Sequence, residues 1–157
     1  MIRELGSNDI LEASNLIGKT NEDDSYHGYG RNEAEWIKFF ISLVQGQMQG
    51  DPNCIAVGYF KDDVMVGFLT AKTFNSYYMD EPIMDVKDCI IDIDNKGRNG
   101  FIVARLFDYM IEQTKERGGR HWRADSIHSQ HRAEKYAQFL QKRYDCAIHT
   151  SVRGVIE

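Results

Sequence analysis

The stretch richest in chemical possibility is Cys89-Ile90-Ile91-Asp92-Ile93-Asp94-Asn95-Lys96-Gly97-Arg98-Asn99-Gly100-Phe101. Apolar, β-favouring residues give way to two glycines and two cations, Lys96 and Arg98, and then a helical pattern begins. Unpaired N–H groups at a helix start, at the positive end of its dipole, attract an anion. Glycines let the backbone approach a phosphate closely. Phosphate binding is the chemistry such a segment offers; an ordinary β–α turn with solvated cations is the plain alternative.

Acids and bases are unevenly spread around it. Residues 80–94 hold six acids against Lys87, whereas residues 115–143 hold eight Lys or Arg against three acids. An anionic cofactor would suit the second region and a cationic amine the first; two solvated surfaces would look the same. On an extended strand Asp88, Ile90, Asp92 and Asp94 share one face, and Cys89, Ile91 and Ile93 the other. His121, Asp125, His128 and His131 cluster in sequence. They straddle a strand–helix junction without a recognised ligand spacing, so no metal is expected. Gly18-Lys19-Thr20 mimics the end of a Walker A loop, but Ala13 stands where the first glycine belongs and the segment before it is helical.

The elements that must position these groups follow from period and punctuation. Ile2–Leu5 is a short apolar alternation. Ser7 can cap a helix that runs to Ile17 and stops at Gly18. Residues 19–31 read as a loop whose Tyr26, His27 and Tyr29 could line a pocket. Asn32 with Glu35 resembles a capping box, and Trp36, Phe40, Leu43 and Val44 recur at helical spacing, predicting a helix over 33–48. Cys54–Phe60 and Val64–Phe74 read as strands joined by a hairpin at Lys61-Asp62-Asp63. A loop over 75–82 leads to a strand over Met84–Ile93. Ile102, Leu106, Tyr109 and Met110 mark a helix from Asn99 to Arg117, stopped at Gly118-Gly119. A strand over His121–Ile127, a helix capped by Ser129 and a strand or two over Cys146–Ile156 complete the order β-α-α-β-β-β-α-β-α-β. Such an order predicts an α/β (α+β) domain spanning 1–157, with a mixed, mostly antiparallel central sheet and helices on both faces.

This order, with the strand–loop–helix at its middle, resembles the GNAT superfamily of acyl-CoA-dependent N-acetyltransferases. There the loop is Arg/Gln-x-x-Gly-x-Gly/Ala, and its amides hold the coenzyme A pyrophosphate. With Arg98 as first motif residue the glycine positions hold Phe101 and Val103. Starting at Lys96-Gly97 instead matches Gly100 to a glycine but needs one extra loop residue. The resemblance implies that Ile91 and Ile93 hydrogen-bond the pantetheine arm through their backbone. It likewise implies that Lys96, Gly97, Arg98, Asn99, Gly100, Phe101, Ile102 and Val103 bind the rest of acetyl-CoA. It places a catalytic base on the strand in the zone of Asp85 and Asp88, with Asp88 the choice. It asks for a tyrosine on the last helix to protonate the departing thiolate. Phe139 or Ala137 occupies that position, depending on register, and Tyr136 is the nearest phenol.

The implied activity is transfer of an acetyl group from acetyl-CoA to a primary amine, small molecule or peptide, by direct attack. The alternative is a non-enzymatic binding or structural module of the same fold with a degenerate coenzyme A site. Composition is compatible with both. The chain has 157 residues, a formal charge of −5 and 42% hydrophobic residues, the profile of a globular domain. Overall acidity argues against a nucleic-acid partner. Its apolar runs, such as Phe39–Val44 with Ser42 inside it, fall far short of a membrane span. Met1–Gly6 lacks the apolar core of a signal peptide. Cys54, Cys89 and Cys146 are odd in number and widely spaced, which suits reduced thiols and a cytoplasmic location. Only 13 residues follow Tyr144. The resemblance calls for two strands there, so a partner chain, as in a homodimer, is expected to complete the sheet or pocket.

Overall fold

The structure, a computed structural model, describes residues 1–23, 32–92, 94, 98–125 and 130–148. Of residues 20–23 and 130–133 it describes the backbone alone. Among the described residues five strands form one sheet in the order β1-β2-β3-β4-β5: Ile2–Glu4, Cys54–Lys61, Val64–Phe74, Ile83–Ile91 and His121–Ala124. The first four are antiparallel neighbours, and β5 runs parallel to β4. The helices are α1 Ile10–Asp23, α2 Glu33–Met48, α3 Asn99–Glu116 and α4 Gln130–Arg143. The predicted order is thus present through α4. Cys146–Ile148, expected as strand, carry none, and residues 149–157 lie outside the described residues.

The sheet's alternation sorts its side chains into two cores. Leu5, Ala56, Phe60 and Phe68 face α1 and α2, meeting Ala13, Leu16, Phe40, Leu43 and Val44. Ile55, Val57, Leu69, Ala71 and Val86 face α3 and α4, meeting Ile102, Leu106, Phe107, Met110 and Leu140. Phe40, Phe68 and Phe107 are fully buried. Truncating any of them to Ala would cost about 3–5 kcal/mol through lost burial and a residual cavity.

Several local signals act as predicted. The Asn32 side chain accepts a hydrogen bond from the Glu35 N–H at 3.1 Å and starts α2. Asp62 and Asp63 both take positive φ (50° and 62°), closing β2 and β3 with the two-residue turn that matches strand twist. Gly118, at φ 82°, ends α3 in the left-handed region.

The first helix differs from expectation. Ser7 lies inside a short 3-10 turn, Ser7–Asp9, and the cap is made by Asp9, whose carboxylate accepts the Gly6 N–H at 2.7 Å. Gly18 does not stop α1, which continues to Asp23. A glycine in a helix interior costs only about 1 kcal/mol, and Lys19 beyond it is tethered by ion pairs to the far end of β4.

Candidate active site

β4 carries the candidate site because of how its two neighbours treat it. Against β3 it pairs throughout, with one irregularity between Thr70 and Ala71: Thr70 faces Asp88 and Ala71 faces Val86. Lys87 is the extra residue, a β-bulge. Against β5 the described pairs run from Ile83↔His121 to Val86↔Ala124. Beyond Val86, β4 continues to Ile91, and there its described pairing is with β3.

The bulge re-phases the strand. Residues three apart normally point to opposite faces, but here Asp85 and Asp88 both lie on the α1–α2 side. Their surroundings differ. Asp85 is buried and receives both an Nε bond (2.7 Å) and an NH2 bond (3.1 Å) from Arg123 on β5, and it also contacts the Lys87 ammonium. Burial works against its charge, but the Arg123 and Lys87 hydrogen bonds prevail and hold its pKa below the usual carboxylate value. Asp85 is thereby committed to fastening β5 onto β4.

Asp88, the predicted base, sits past the last described β4–β5 pair. Its Oδ2 accepts the Thr70 hydroxyl at 2.6 Å and the Trp36 indole N–H at 3.2 Å. Sequence reasoning missed both donors. Trp36 was legible only as an apolar position of α2. Thr70 had left a signal, being a lone hydroxyl inside the apolar run Val66–Ala71. Further along the same face, Lys19 pairs with Asp92 at 3.5 Å and Asp94 at 3.4 Å, and these carboxylates raise its pKa.

On the opposite face the next residue, Cys89, meets Tyr136 of α4 through a thiol–hydroxyl hydrogen bond. Burial pushes the Cys89 thiol up to about 12. Burial first, and then Cys89, raise the Tyr136 phenol well above its ordinary value. Tyr136 also packs edge-on against Phe107 at 6.1 Å. The predicted acid and base therefore flank the same two residues of β4, one on each face.

The predicted loop is described in part, since Ile93, Lys96 and Gly97 lie outside the described residues. Ile91 ends β4 and packs on the α3 side of the sheet. Arg98 is the N-cap of α3 and makes no side-chain capping bond, and the first turn holds no acid. Asn99, Gly100 and Phe101 occupy the first three helical positions, where N–H groups have no intrahelical acceptor. Ile102 and Val103, expected from the resemblance at the cofactor, lie further into the helix. The Ile102 N–H donates to the Arg98 carbonyl at 3.1 Å, so the helix ladder already uses it. Both side chains are buried in the core instead. A Cβ on Gly100 would lie 3.4 Å from the Phe139 ring, so the glycine lets α4 approach the start of α3.

No protein-family model and no curated protein matches the chain. Solved structures do. A ribosomal-protein-alanine N-acetyltransferase from Brucella melitensis biovar Abortus 2308 is 16% identical over 99% of both chains, with a TM-score of 0.64. An aminoglycoside acetyltransferase from an uncultured soil metagenomic sample is 13% identical over 100% of this chain and 95% of its own, at 0.66. The chain has the GNAT acetyltransferase fold. A transcriptional regulator from Bacillus halodurans C-125 matches as well, at 17% identity over 99% of both chains and a TM-score of 0.68. The likeness is one of fold, and a site and its chemistry follow only from the residues.

Those residues fit an acyl-CoA. A helix start with Arg98 at its N-cap and no acid in its first turn suits a pyrophosphate. Among the described residues no group of three or more His, Cys, Asp or Glu is placed to hold a metal ion, and no helix is long and apolar enough to cross a membrane. The 75–82 loop joins β3 to β4 at the Phe74↔Ile83 end, away from the segment that follows Ile91.

Proposed function

We propose that the protein is an N-acetyltransferase that moves an acetyl group from acetyl-CoA to a primary amine by direct attack. The observation that carries this reading is the placement of Asp88 and Tyr136 on opposite faces of β4, along its edge beyond the last described pair with β5. A thioester laid along that edge has a carboxylate on the α2 side and a phenol on the α4 side. The amine enters from the acidic face, where Asp88 takes its proton and the nitrogen lone pair becomes available. Nitrogen bonds to the thioester carbon, the carbon–sulfur bond breaks, sulfur leaves as thiolate on the Tyr136 side, and the second proton shed by the new amide nitrogen passes through solvent to the thiolate.

Tyr136 meets that thiolate with a protonated hydroxyl. Because its pKa lies well above that of an ordinary thiol, full proton transfer from phenol to sulfur is uphill. Its contribution is a hydrogen bond that stabilises charge developing on the leaving atom. Cys89 is poorly suited to act as an acyl carrier. With a pKa of about 12 it is a thiol at neutral pH, and the thiolate is the nucleophilic form. Direct attack is the route left to these groups.

The test is calorimetric titration with acetyl-CoA, followed by thiol release with a panel of primary amines. Binding and amine-dependent release are expected. Absence of binding at millimolar acetyl-CoA rejects the proposal. The second reading, a non-enzymatic module, draws on Phe139 resting against Gly100. Amine-dependent thiol release rejects it.

A further inference from the structure

At the end of the sheet away from Ile91, the starts of β2, β4 and β5, the end of β3 and the last turn of α3 enclose a cavity of about 410 Å³. That volume lies within the range for small-molecule sites. The cavity is separate from the candidate active site. Met84, which lines it, packs on the α3 side of the sheet and precedes Asp88 along β4 by about 13 Å of extended strand.

The charges around this cavity are unevenly committed. Glu81, the one carboxylate among its described lining residues, contacts Arg120 at 3.7 Å and His121 at 3.2 Å. Arg117 is held by neutral acceptors instead. Its NH1 donates to the Pro52 and Cys54 carbonyls at 3.1 and 3.0 Å, and its NH2 to the Gln113 side-chain oxygen at 3.4 Å. These bonds fix the guanidinium without an ion pair, and of its five N–H donors the Nε–H and one on NH2 are left over. The negative end of α3 is covered as well, because the Gln113, Thr114 and Lys115 carbonyls accept from the Arg117, Gly119 and Gly118 N–H groups. The Thr73 hydroxyl in the same lining has only the Met84 thioether, a weak acceptor, at 3.9 Å. We infer that this cavity is a second ligand site, built for a small organic carboxylate. Arg117 takes the carboxylate, Thr73 offers a further donor, and Pro52, Pro82 and Met84 receive the carbon body. One oriented guanidinium suits a monoanion, and the Glu81 charge disfavours a multiply charged anion such as phosphate.

The experiment follows the backbone amide resonances of the isotope-labelled protein during titration with phenylacetate, its neutral isostere phenylacetamide, and inorganic phosphate. Saturable shifts at Gly118 and Gly119, which line the cavity, are expected with millimolar phenylacetate. Phenylacetamide is expected to bind at least about 10-fold more weakly, and Arg117→Gln to weaken phenylacetate about 10- to 150-fold, the range for losing a hydrogen bond to a charged group. The isostere comparison uses wild type alone, so it decides the question even where the variant does not fold. Absence of saturable shifts at Gly118 and Gly119 overturns the inference. So does equal affinity for phenylacetamide or phosphate, or unchanged phenylacetate affinity in folded Arg117→Gln. Shifts confined to Asp88–Ile91 overturn it too, because the carboxylate then sits at the candidate active site. Each of these outcomes leaves the acetyl-CoA reading to its own titration.

Discussion

Over Ile83–Val86, β4 is flanked by β3 on one side and β5 on the other; over Lys87–Ile91 its described pairing is with β3. Each half presents one carboxylate to the α1–α2 side. In the paired half, Asp85 is held by two cations, Arg123 and Lys87. In the half beyond the last described β4–β5 pair, Asp88 accepts from an indole and a hydroxyl among its partners. Ion pairs fasten one strand to the next, whereas neutral donors orient a carboxylate. On the proposed reading β4 separates fastening from chemistry, with the bulge at Lys87 as the boundary.

The largest test of this contrast is Asp88→Asn, which keeps the shape and removes the base. A fall of about 10²–10³ in kcat with the amine is expected, within the span for loss of a general base, while calorimetric affinity for acetyl-CoA stays near wild type. Turnover within about threefold of wild type would remove Asp88 from the reaction.

Asp85 should behave in the opposite way. Asp85→Ala is expected to lower stability by about 1–3 kcal/mol in urea denaturation, the range for deleting a charged hydrogen-bond partner. The half-exposed Arg123 can turn to water, which keeps the loss below that of a fully buried pair. The effect depends on pH with a definite sign. Because the folded-state pKa of Asp85 is depressed, its contribution is fully present above the unfolded value of about 3.9 and disappears as pH falls through the lower folded value. The stability gap between wild type and Asp85→Ala should narrow below about pH 4 and be widest at neutral pH. A gap that widens on acidification contradicts the ion-pair assignment.

Tyr136→Phe probes the other face. Loss of one hydrogen bond to developing charge predicts a fall of about 10-fold or more in kcat, with little change in amine KM. Cys89 loses its hydroxyl partner in the same variant, so its thiol should remain unreactive towards alkylating reagents while buried. Rapid labelling of Cys89 would show that the variant had opened the core.

Much of this arrangement was legible because it is local. The helical period of Trp36, Phe40 and Leu43, the cap at Asn32 and the two aspartates of the hairpin each act within a few residues of where they lie. The strand–loop–helix around Arg98 was legible for the same reason. What escaped depended on partners distant in sequence. The bulge at Lys87 is set by register with β3, so simple alternation could not show that Asp85 and Asp88 share a face. Likewise, Asp85 and Asp88 look alike in sequence, and Arg123, Thr70 and Trp36 distinguish them only after the sheet has formed. Gly18 misled because punctuation by glycine is a tendency that a tethered Lys19 can override.

The smallest predicted effect concerns orientation alone. Trp36→Phe removes the indole N–H at 3.2 Å from Asp88 and keeps an aromatic ring beside Phe40, whose centroid lies 5.0 Å away, and Phe68 at 6.3 Å. A neutral hydrogen bond contributes about 0.5–1.5 kcal/mol, so kcat/KM for the amine should fall about 2- to 12-fold while the Thr70 hydroxyl continues to hold the same oxygen. If orientation by neutral donors is what separates the two halves of β4, adding Thr70→Val to Trp36→Phe should lose more than the product of the single effects, because each donor covers for the other. A double variant whose loss is the simple product would mean that the strand itself aims Asp88 and the donors merely solvate it.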